Sequence, residues 1–417
     1  MKVLIVGGTL SGKTGDTNAI KSIANELAQT EEVFVFPILP VFVRQMISPN
    51  GSYKFVKKTP SLSIIFFCVK SSFRWLKRVA PYLRCSLRDC FRYFLSLYHL
   101  ALLRRDLPVL KPDIVHVHGI SLEMLPFIDY LVNKFPLMVT CHGISDYSEH
   151  DAFTRANLEQ DVLKKLVAHN IMITAVSSAV KQEAVTRFDI PLADIAVVRN
   201  GVDVERFASG RGTSKEGARS RFRLPRRASV IIQVGTLNTR KNHIAVLRAL
   251  ASMELQLRAQ LCYLIVGDGK ERDNLLRYVR MHKLEQNVVF AGQVSDSELI
   301  ALYLLSDFFV LPSISEGLPL VFLEALAAGL PIITFSDVEG VEEVYRPNCM
   351  QLVSDRSTTS LVSAIQIATK TQWDRQSITD YARSWDWKTV GKTYLDLYRT
   401  SIQASRGNSG IGPLSMG

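Results

Sequence analysis

Short apolar runs, each ending in a polar or glycine-rich turn, recur along the chain and alternate with stretches of helical spacing. Lys2 to Val6 is the first such run, and apolar positions at Ile20, Ile23, Ala24, Leu27 and Ala28 predict a helix over 17–28. Runs at 113–119, 137–143 and 171–177 repeat the design. Continuous apolar strands of this length, interleaved with helices, belong to a parallel sheet covered on both faces. A break follows near Asn200-Gly201-Val202-Asp203, and residues 209–229 are rich in Ser, Gly and Arg, as an interdomain joint would be. The pattern then restarts, with strand-and-turn runs at 229–235, 259–269, 287–292, 307–312 and 330–335. Two doubly wound α/β units are expected, each taking its ligand outside the carboxyl ends of its strands.

Composition narrows this picture. A chain of 417 residues, 47% apolar and only 21% charged, has the length for two domains and is too apolar for disorder. The longest uncharged runs, such as 59–69 and 325–336, fall short of the roughly 20 residues that span a bilayer. The strand starting at Lys2 leaves no secretory signal to expect. Six cysteines without metal spacing suit a reduced cytosolic chain with no structural metal.

Three segments carry candidate chemistry. Ser315 to Pro331 starts as a loop and becomes a helix, with Pro319 suited to its first turn and Gly329 to its stop. The positive end of that helix suits a phosphate. Glu316 before the helix and Glu324 inside it can accept hydrogen bonds from sugar or ribose hydroxyls; the competing reading is an ordinary amphipathic helix with a solvated glutamate. Gly235 to His243 is a strand turn with adjacent cations, Arg240 and Lys241, able to neutralise a diphosphate, although a solvated basic turn is commoner. Gly7-Gly8-Thr9-Leu10-Ser11-Gly12-Lys13-Thr14 matches the P-loop pattern after a strand. In a P-loop the helix begins at about the Lys-Thr pair, whereas Gly15 and Asp16 are expected to defer it to near Thr17. The milder reading is a glycine-rich turn whose backbone lies close to a ligand. His118 and His142 occupy equivalent strand ends where each can reach a ligand, and His116 is expected to face the opposite way from His118.

The motifs taken in order resemble the retaining glycosyltransferases of family 4. Val234 to Asn242 fits that family's V-G-x-L…K-[GN] turn, Val266 to Gly269 its V-G-D-G, and Asn287 to Val294 its N-V-x-F-x-G-x-V. Pro312 to Pro331 fits P-S…E-G-x-x…E-A-x-A-x-G-x-P, with Glu316 and Glu324 at the E-x7-E spacing. Lys111 to Gly119, Val139 to Gly143, Ala175 to Ser177, Asn200 to Asp203 and Trp385 to Trp387 follow the same family order. The resemblance implies a GT-B fold, two Rossmann-like domains facing a central cleft. Residues 1–203 with a returning helix at 386–402 would form the acceptor-side domain, 204–385 the nucleotide-sugar domain, and 403–417 a flexible tail. It also implies transfer of a sugar from a nucleotide-sugar to a glycan or lipid-linked acceptor, without metal or cofactor. Under it Glu316 and His118 meet the transferred sugar and Glu324 the ribose. Arg240 and Lys241 meet the diphosphate, Gly7 and Gly8 admit the phosphates, Leu318 and Leu320 line the donor, and His142 lies towards the acceptor. Two departures stand out: Thr236 where many members carry Arg, and Pro319 where many carry Gly. A P-loop NTPase and a GT-B protein that transfers nothing, such as an epimerase or binding subunit, are the competing readings.

The formal net charge of +11 has a single source. Residues 54–105 hold twelve cations (Lys54, Lys57, Lys58, Lys70, Arg74, Lys77, Arg78, Arg84, Arg88, Arg92, Arg104, Arg105) against Asp89 alone, which accounts for the whole excess. Leu87, Phe91, Phe94, Leu95, Tyr98 and Leu102 have helical spacing and would pack on the first domain, while Phe66, Phe67, Phe73 and Trp75 stand among the cations. Aromatic and basic residues mixed in this way suit an anionic membrane surface, and no nucleic-acid motif accompanies them. Peripheral binding to the inner face of the cell membrane is expected. In liposome sedimentation the protein should pellet with anionic vesicles, less so as salt rises; equal binding to neutral vesicles would remove the electrostatic explanation.

Overall fold

The computed structural model describes residues 1–7, 15–36, 45–47, 53–55, 87–121, 123–143, 152–210, 215–225, 227–338 and 340–408. The chain divides into two compact units, one of residues 1–200 with 387–417, the other of residues 201–386.

The first unit runs β1 (Lys2–Val6), α1 (Gly15–Leu27), β2 (Glu32–Phe36), β3 (Gln45–Ile47), β4 (Tyr53–Phe55), α2 (Leu87–Leu110), β5 (Ile114–His118), α3 (Leu125–Leu131), β6 (Leu137–Cys141), α4 (Ala152–Ala168), β7 (Met172–Ala175), α5 (Ser178–Phe188) and β8 (Ile195–Val197). Among the described residues its sheet has the order β4-β3-β2-β1-β5-β6-β7-β8. Strands β2, β1, β5, β6, β7 and β8 pair in parallel, and β3 and β4 add an antiparallel edge beside β2. That edge leaves no mark in the residue pattern, because three-residue strands are too short to show a period. Helix α1 already includes Gly15 and Asp16, which were expected to precede it, while residues 8–14 lie outside the described residues. Helix α2 buries Tyr93, Leu97, Leu100, Leu103 and Leu107, at spacings of three and four. That stripe is rotated from the expected one: of its described members only Leu102 is buried, while Phe94, Leu95 and Tyr98 sit at the flank.

The second unit runs α6 (Val204–Ser209), α7 (Lys215–Arg221), β9 (Ser229–Val234), α8 (His243–Ser252), α9 (Leu255–Arg258), β10 (Leu261–Val266), α10 (Arg272–Met281), β11 (Val288–Gly292), α11 (Asp296–Leu305), β12 (Phe308–Leu311), α12 (Leu320–Ala327), β13 (Ile332–Phe335), α13 (Val341–Val344), β14 (Met350–Val353), α14 (Thr358–Lys370) and α15 (Arg375–Ala382). Its sheet is parallel throughout, ordered β11-β10-β9-β12-β13-β14. This is the 3-2-1-4-5-6 order of dinucleotide-binding sheets, whose direction of growth reverses between the first and fourth strands. Every residue of β10 is buried, as a central parallel strand requires. Helix starts are fixed locally: Ser295 and Glu298 form a capping box on α11, and Ser357 and Asp374 cap α14 and α15.

The chain then returns to the first unit as α16 (Trp387–Asn408). The tail expected from residue 403 is therefore helical as far as Asn408, where Ser405 still bonds the Ser401 carbonyl. Tyr394, Tyr398 and Ser401 are buried along one face of α16, and the Ser401 hydroxyl donates to the Leu137 carbonyl of β6 at 3.3 Å. No helix among the described residues is long and apolar enough to cross a membrane.

In each unit the turns beside the reversal point are packed backbone to backbone. Gly7, after β1, has φ +150°, and a Cβ there would lie 2.9 Å from the His118 Cβ at the end of β5. Gly267 has φ +134°, and its Cβ would lie 2.1 Å from the Gly235 carbonyl oxygen. Gly292, at φ +68°, has nothing within 4 Å of such a Cβ. Gly267→Ala should therefore cost about 3 kcal/mol or more, and Gly292→Ala about 1 kcal/mol from left-handed backbone alone. Urea denaturation measures both; equal costs would mean that the Gly235–Gly267 contact carries no weight.

Candidate functional site

The loops after β9 and β12, on either side of the second unit's reversal point, are laced together by their backbones. The Ile314 N–H donates to the Arg240 carbonyl at 2.8 Å, and the Asn242 amide donates to the Pro312 carbonyl at 3.0 Å. Asn242 adopts φ +51°, a left-handed conformation that Asn tolerates better than most residues. From below, buried Gln233 donates to the Lys241 carbonyl at 2.8 Å and accepts from the Tyr263 hydroxyl at 2.5 Å. Arg356, after β14, grips the second loop from its far side. Its guanidinium meets both Asp337 carboxylate oxygens at 2.9 Å and the Ser313 carbonyl at 3.0 Å, and lies 4.9 Å from the centre of the Phe335 ring. Neither Gln233, Tyr263 nor Arg356 was singled out from the sequence, because each partner is remote along the chain and no motif joins them.

This lacing brings three predicted residues together. Lys241 Nζ lies 2.6 Å from Glu316 Oε1, and Arg240 Nη1 lies 2.8 Å from Oε2. Arg240 also donates to the Ser315 carbonyl at 2.7 Å. Glu316 is 6% exposed at its side chain and Lys241 11%, whereas Arg240 is 43% exposed. Burial alone would raise the Glu316 carboxyl, but Lys241 and then Arg240 outweigh it and hold it below the usual range. Burial lowers Lys241 from its ordinary value, Arg240 adds to that, and Glu316 offsets only part of it. Two cations on one carboxylate leave net positive charge at the carboxyl ends of the strands, where an anion fits.

Glu324 sits in α12, half-buried. Its Oε2 accepts from the buried Tyr303 hydroxyl at 2.9 Å, its only hydrogen-bond partner among the described residues. Burial pushes its carboxyl up, with the Tyr303 bond and the Arg206 charge pulling against it. Pro319 stands at the helix cap, and the first-turn N–H groups have no carbonyl four residues back. At the other end Gly329 has φ +72°; its N–H bonds the Leu326 carbonyl and the Leu330 N–H bonds the Ala325 carbonyl, closing a Schellman motif. Leu318 is buried ahead of the helix and Leu320 half-buried at its start.

The first unit brings the histidines together. His118 Nδ1 lies 2.8 Å from His142 Nε2, with the rings stacked 5.1 Å apart. His118 is 3% exposed and its Nε2 has no partner among the described residues, while His142 is half-buried. His116 does not face the opposite way: residues two apart on a strand share a face, and its ring centre stands 4.0 Å from that of His118. Burial lowers His116 to about 3 and holds His118 well below its ordinary value, with neighbouring imidazoles adding to both shifts. Gly7 is in place against His118, while Gly8 and Lys13 lie outside the described residues, as does most of the basic segment. Of its twelve cations, Arg104 packs over the Tyr130 ring at 4.9 Å and Arg105 pairs with Asp106 at 3.2 Å.

Known proteins share both halves. Residues 47–206 match the family model for Glycosyltransferase Family 4, and residues 214–385 the model for Glycosyl transferases group 1. The putative teichuronic acid biosynthesis glycosyltransferase TuaC of Bacillus subtilis is 28% identical over 259 residues, 61% of this chain and 61% of that protein. Glycogen synthase of Mycobacterium tuberculosis is 26% identical over 310 residues, 71% of this chain and 70% of its own. Sucrose-phosphate synthase of Thermosynechococcus elongatus superposes with a TM-score of 0.73 at 17% identity, covering 97% of this chain and 99% of that one. HepE of Anabaena, solved in complex with UDP, gives 0.67 at 16%, covering 96% and 100%.

The buried imidazoles set a pH dependence. His116, and His243 at the start of α8, are both lowered from 6.5 to about 3, burial being the larger cause in each. Their folded forms stay neutral where the unfolded chain takes up protons, so stability is complete above about pH 6.5 and declines from there towards pH 3. At pH 5 each should cost about 2 kcal/mol. Urea midpoints should fall between pH 7 and pH 5, before most carboxylates titrate, and less steeply in His243→Gln. A flat profile over that window would mean these rings are solvated.

Proposed function

The chain belongs to the family 4 glycosyltransferases of GT-B fold, and from that premise we propose that it moves a sugar from a nucleotide-diphosphate sugar to an acceptor hydroxyl with retention of configuration. The observation carrying this reading is the convergence of Arg240 and Lys241 on Glu316 at the reversal point of a dinucleotide-type sheet. Departure of a nucleoside diphosphate concentrates negative charge on its terminal phosphate. Fixed cations and the amino end of α12 stabilise that charge without reorganising at the moment of transfer. Glu316 meets hydroxyls of the transferred sugar, and Glu324, braced by Tyr303, accepts from the ribose. Leu318 and Leu320 line the donor, Gly7 and Gly8 admit its phosphates, and the His118–His142 pair meets the sugar from the first unit. The acceptor attacks from the face the phosphate leaves, with that phosphate taking the proton.

The donor class draws support from HepE, solved with UDP, and the acceptor from TuaC, described in teichuronic acid biosynthesis. The acceptor we infer is a glycan or lipid-linked precursor of a cell-surface polysaccharide. Residues 54–105 would hold the enzyme against the anionic cytoplasmic leaflet where such precursors lie.

A P-loop NTPase is the second reading, favoured by the match of residues 7–14 to the P-loop pattern and by the inclusion of Gly15 and Asp16 in α1. Two variants separate the readings. Glu316→Ala should lower kcat/KM for acceptor-dependent nucleotide release by about 10²–10³-fold, with Lys13→Ala near wild type. Nucleotide release without acceptor that vanishes in Lys13→Ala and persists in Glu316→Ala would overturn the transferase reading.

A further inference from the structure

Beneath the histidine pair lies a buried polar cluster for which the proposed chemistry has no use. Tyr398, on the returning helix α16, places its hydroxyl 2.6 Å from His116 Nδ1. His116 Nε2 lies 2.7 Å from the Thr140 hydroxyl, which lies 2.6 Å from that of Thr174. Tyr394 closes one side, its ring centre 5.1 Å from that of His116. His116, Thr140, Thr174 and Tyr398 are all 0% exposed.

The direction of these bonds follows from the inventory of donors. His116 is neutral, so one nitrogen donates and the other accepts. Tyr398 has no other hydrogen-bond partner among the described residues. Were Nδ1 to carry the proton, the phenolic O–H would be buried without an acceptor, a loss of about 1–3 kcal/mol. The favourable arrangement runs one way: Tyr398 donates to Nδ1, Nε2–H donates to Thr140, and Thr140 donates to Thr174. Both nitrogens of His116 are then satisfied without a charge. Its ring becomes a fixed floor 4.0 Å from His118, which in turn bonds His142.

We propose that Tyr398 is a positioning residue for the His118–His142 pair: by fixing the tautomer and plane of His116 it fixes the ring surface against which His118 rests, and so the direction in which the pair's nitrogens point. The functional half rests on the transferase reading above. The structural half does not. Within one ring the bond at one nitrogen sets the state of the other; from His116 to His118 the link is packing, with ring centres 4.0 Å apart, so what is passed on is ring orientation.

The experiment uses the full chain with 15N-labelled histidine. Long-range 1H–15N spectra should show wild-type His116 as the Nε2–H tautomer. Tyr398→Phe leaves Nδ1 without its donor and should shift the His116, His118 and His142 resonances together. It should lower kcat about tenfold while donor KM changes less than about threefold. Thr140→Val removes the acceptor of Nε2–H while Tyr398 still donates to Nδ1, so His116 should keep the Nε2–H tautomer with its Nε2–H signal displaced, and Thr140→Ser should keep the wild-type spectrum. This second pair reads the same arrangement should Tyr398→Phe fail to fold. Wild-type His116 in the Nδ1–H form, or His118 and His142 signals and kcat unmoved in Tyr398→Phe, would overturn the proposal. Coupled spectral shifts in a protein without transferase activity would support the positioning role and remove the transferase reading.

Discussion

Lys241 and Glu316 meet between the loops that follow β9 and β12, and neither charge is tolerable there alone. Removing one partner of a buried ion pair strands the other at a cost of about 3–5 kcal/mol, whereas an incoming anion can take over the lysine without stranding it. The second unit is built around that condition. Backbone bonds fix both loops, Gln233 and Tyr263 hold the lysine's carbonyl from below, and Arg356 ties Ser313 to Asp337 across three strand ends. The carboxylate therefore serves as the counter-charge that makes a buried lysine tolerable.

The first unit solves a related problem by the opposite means. Three imidazoles stand close together, and repulsion among charged rings would open the core. Neutrality removes it: burial lowers His116 and His118, and hydroxyls from Tyr398 and Thr140 satisfy His116 without supplying charge. One unit thus presents fixed charge suited to a diphosphate, and the other fixed dipoles suited to hydroxyls.

What could be read in advance was what is local. The strands ending at Val6, His118, Cys141, Val234 and Val266 follow from apolar runs, and the helix from Leu320 to Ala327 from Pro319 and Gly329. Lys241 and Glu316 were recognisable because each lies in a compact motif, although 75 residues separate them. What escaped depends on partners that no local pattern announces. Arg356 owes its place to Asp337 and Ser313, and Tyr398 bonds a histidine 282 residues earlier. His116 differs from its expected direction for another reason: the pleat puts residues two apart on one side of a strand, so His116 and His118 share a face.

The division of the first unit into two sequence segments also sets an order of assembly. During synthesis, residues 201–386 emerge and can close their own parallel sheet while the first unit still lacks α16. Until Tyr394 and Tyr398 arrive, the polar faces of His116, Thr140 and Thr174 have no cover on that side. The earlier-made half of the first unit must wait, partly open, for the last described helix of the chain. A copy truncated before α16 would therefore hold an intact charged cluster in the second unit and an unfinished polar one in the first.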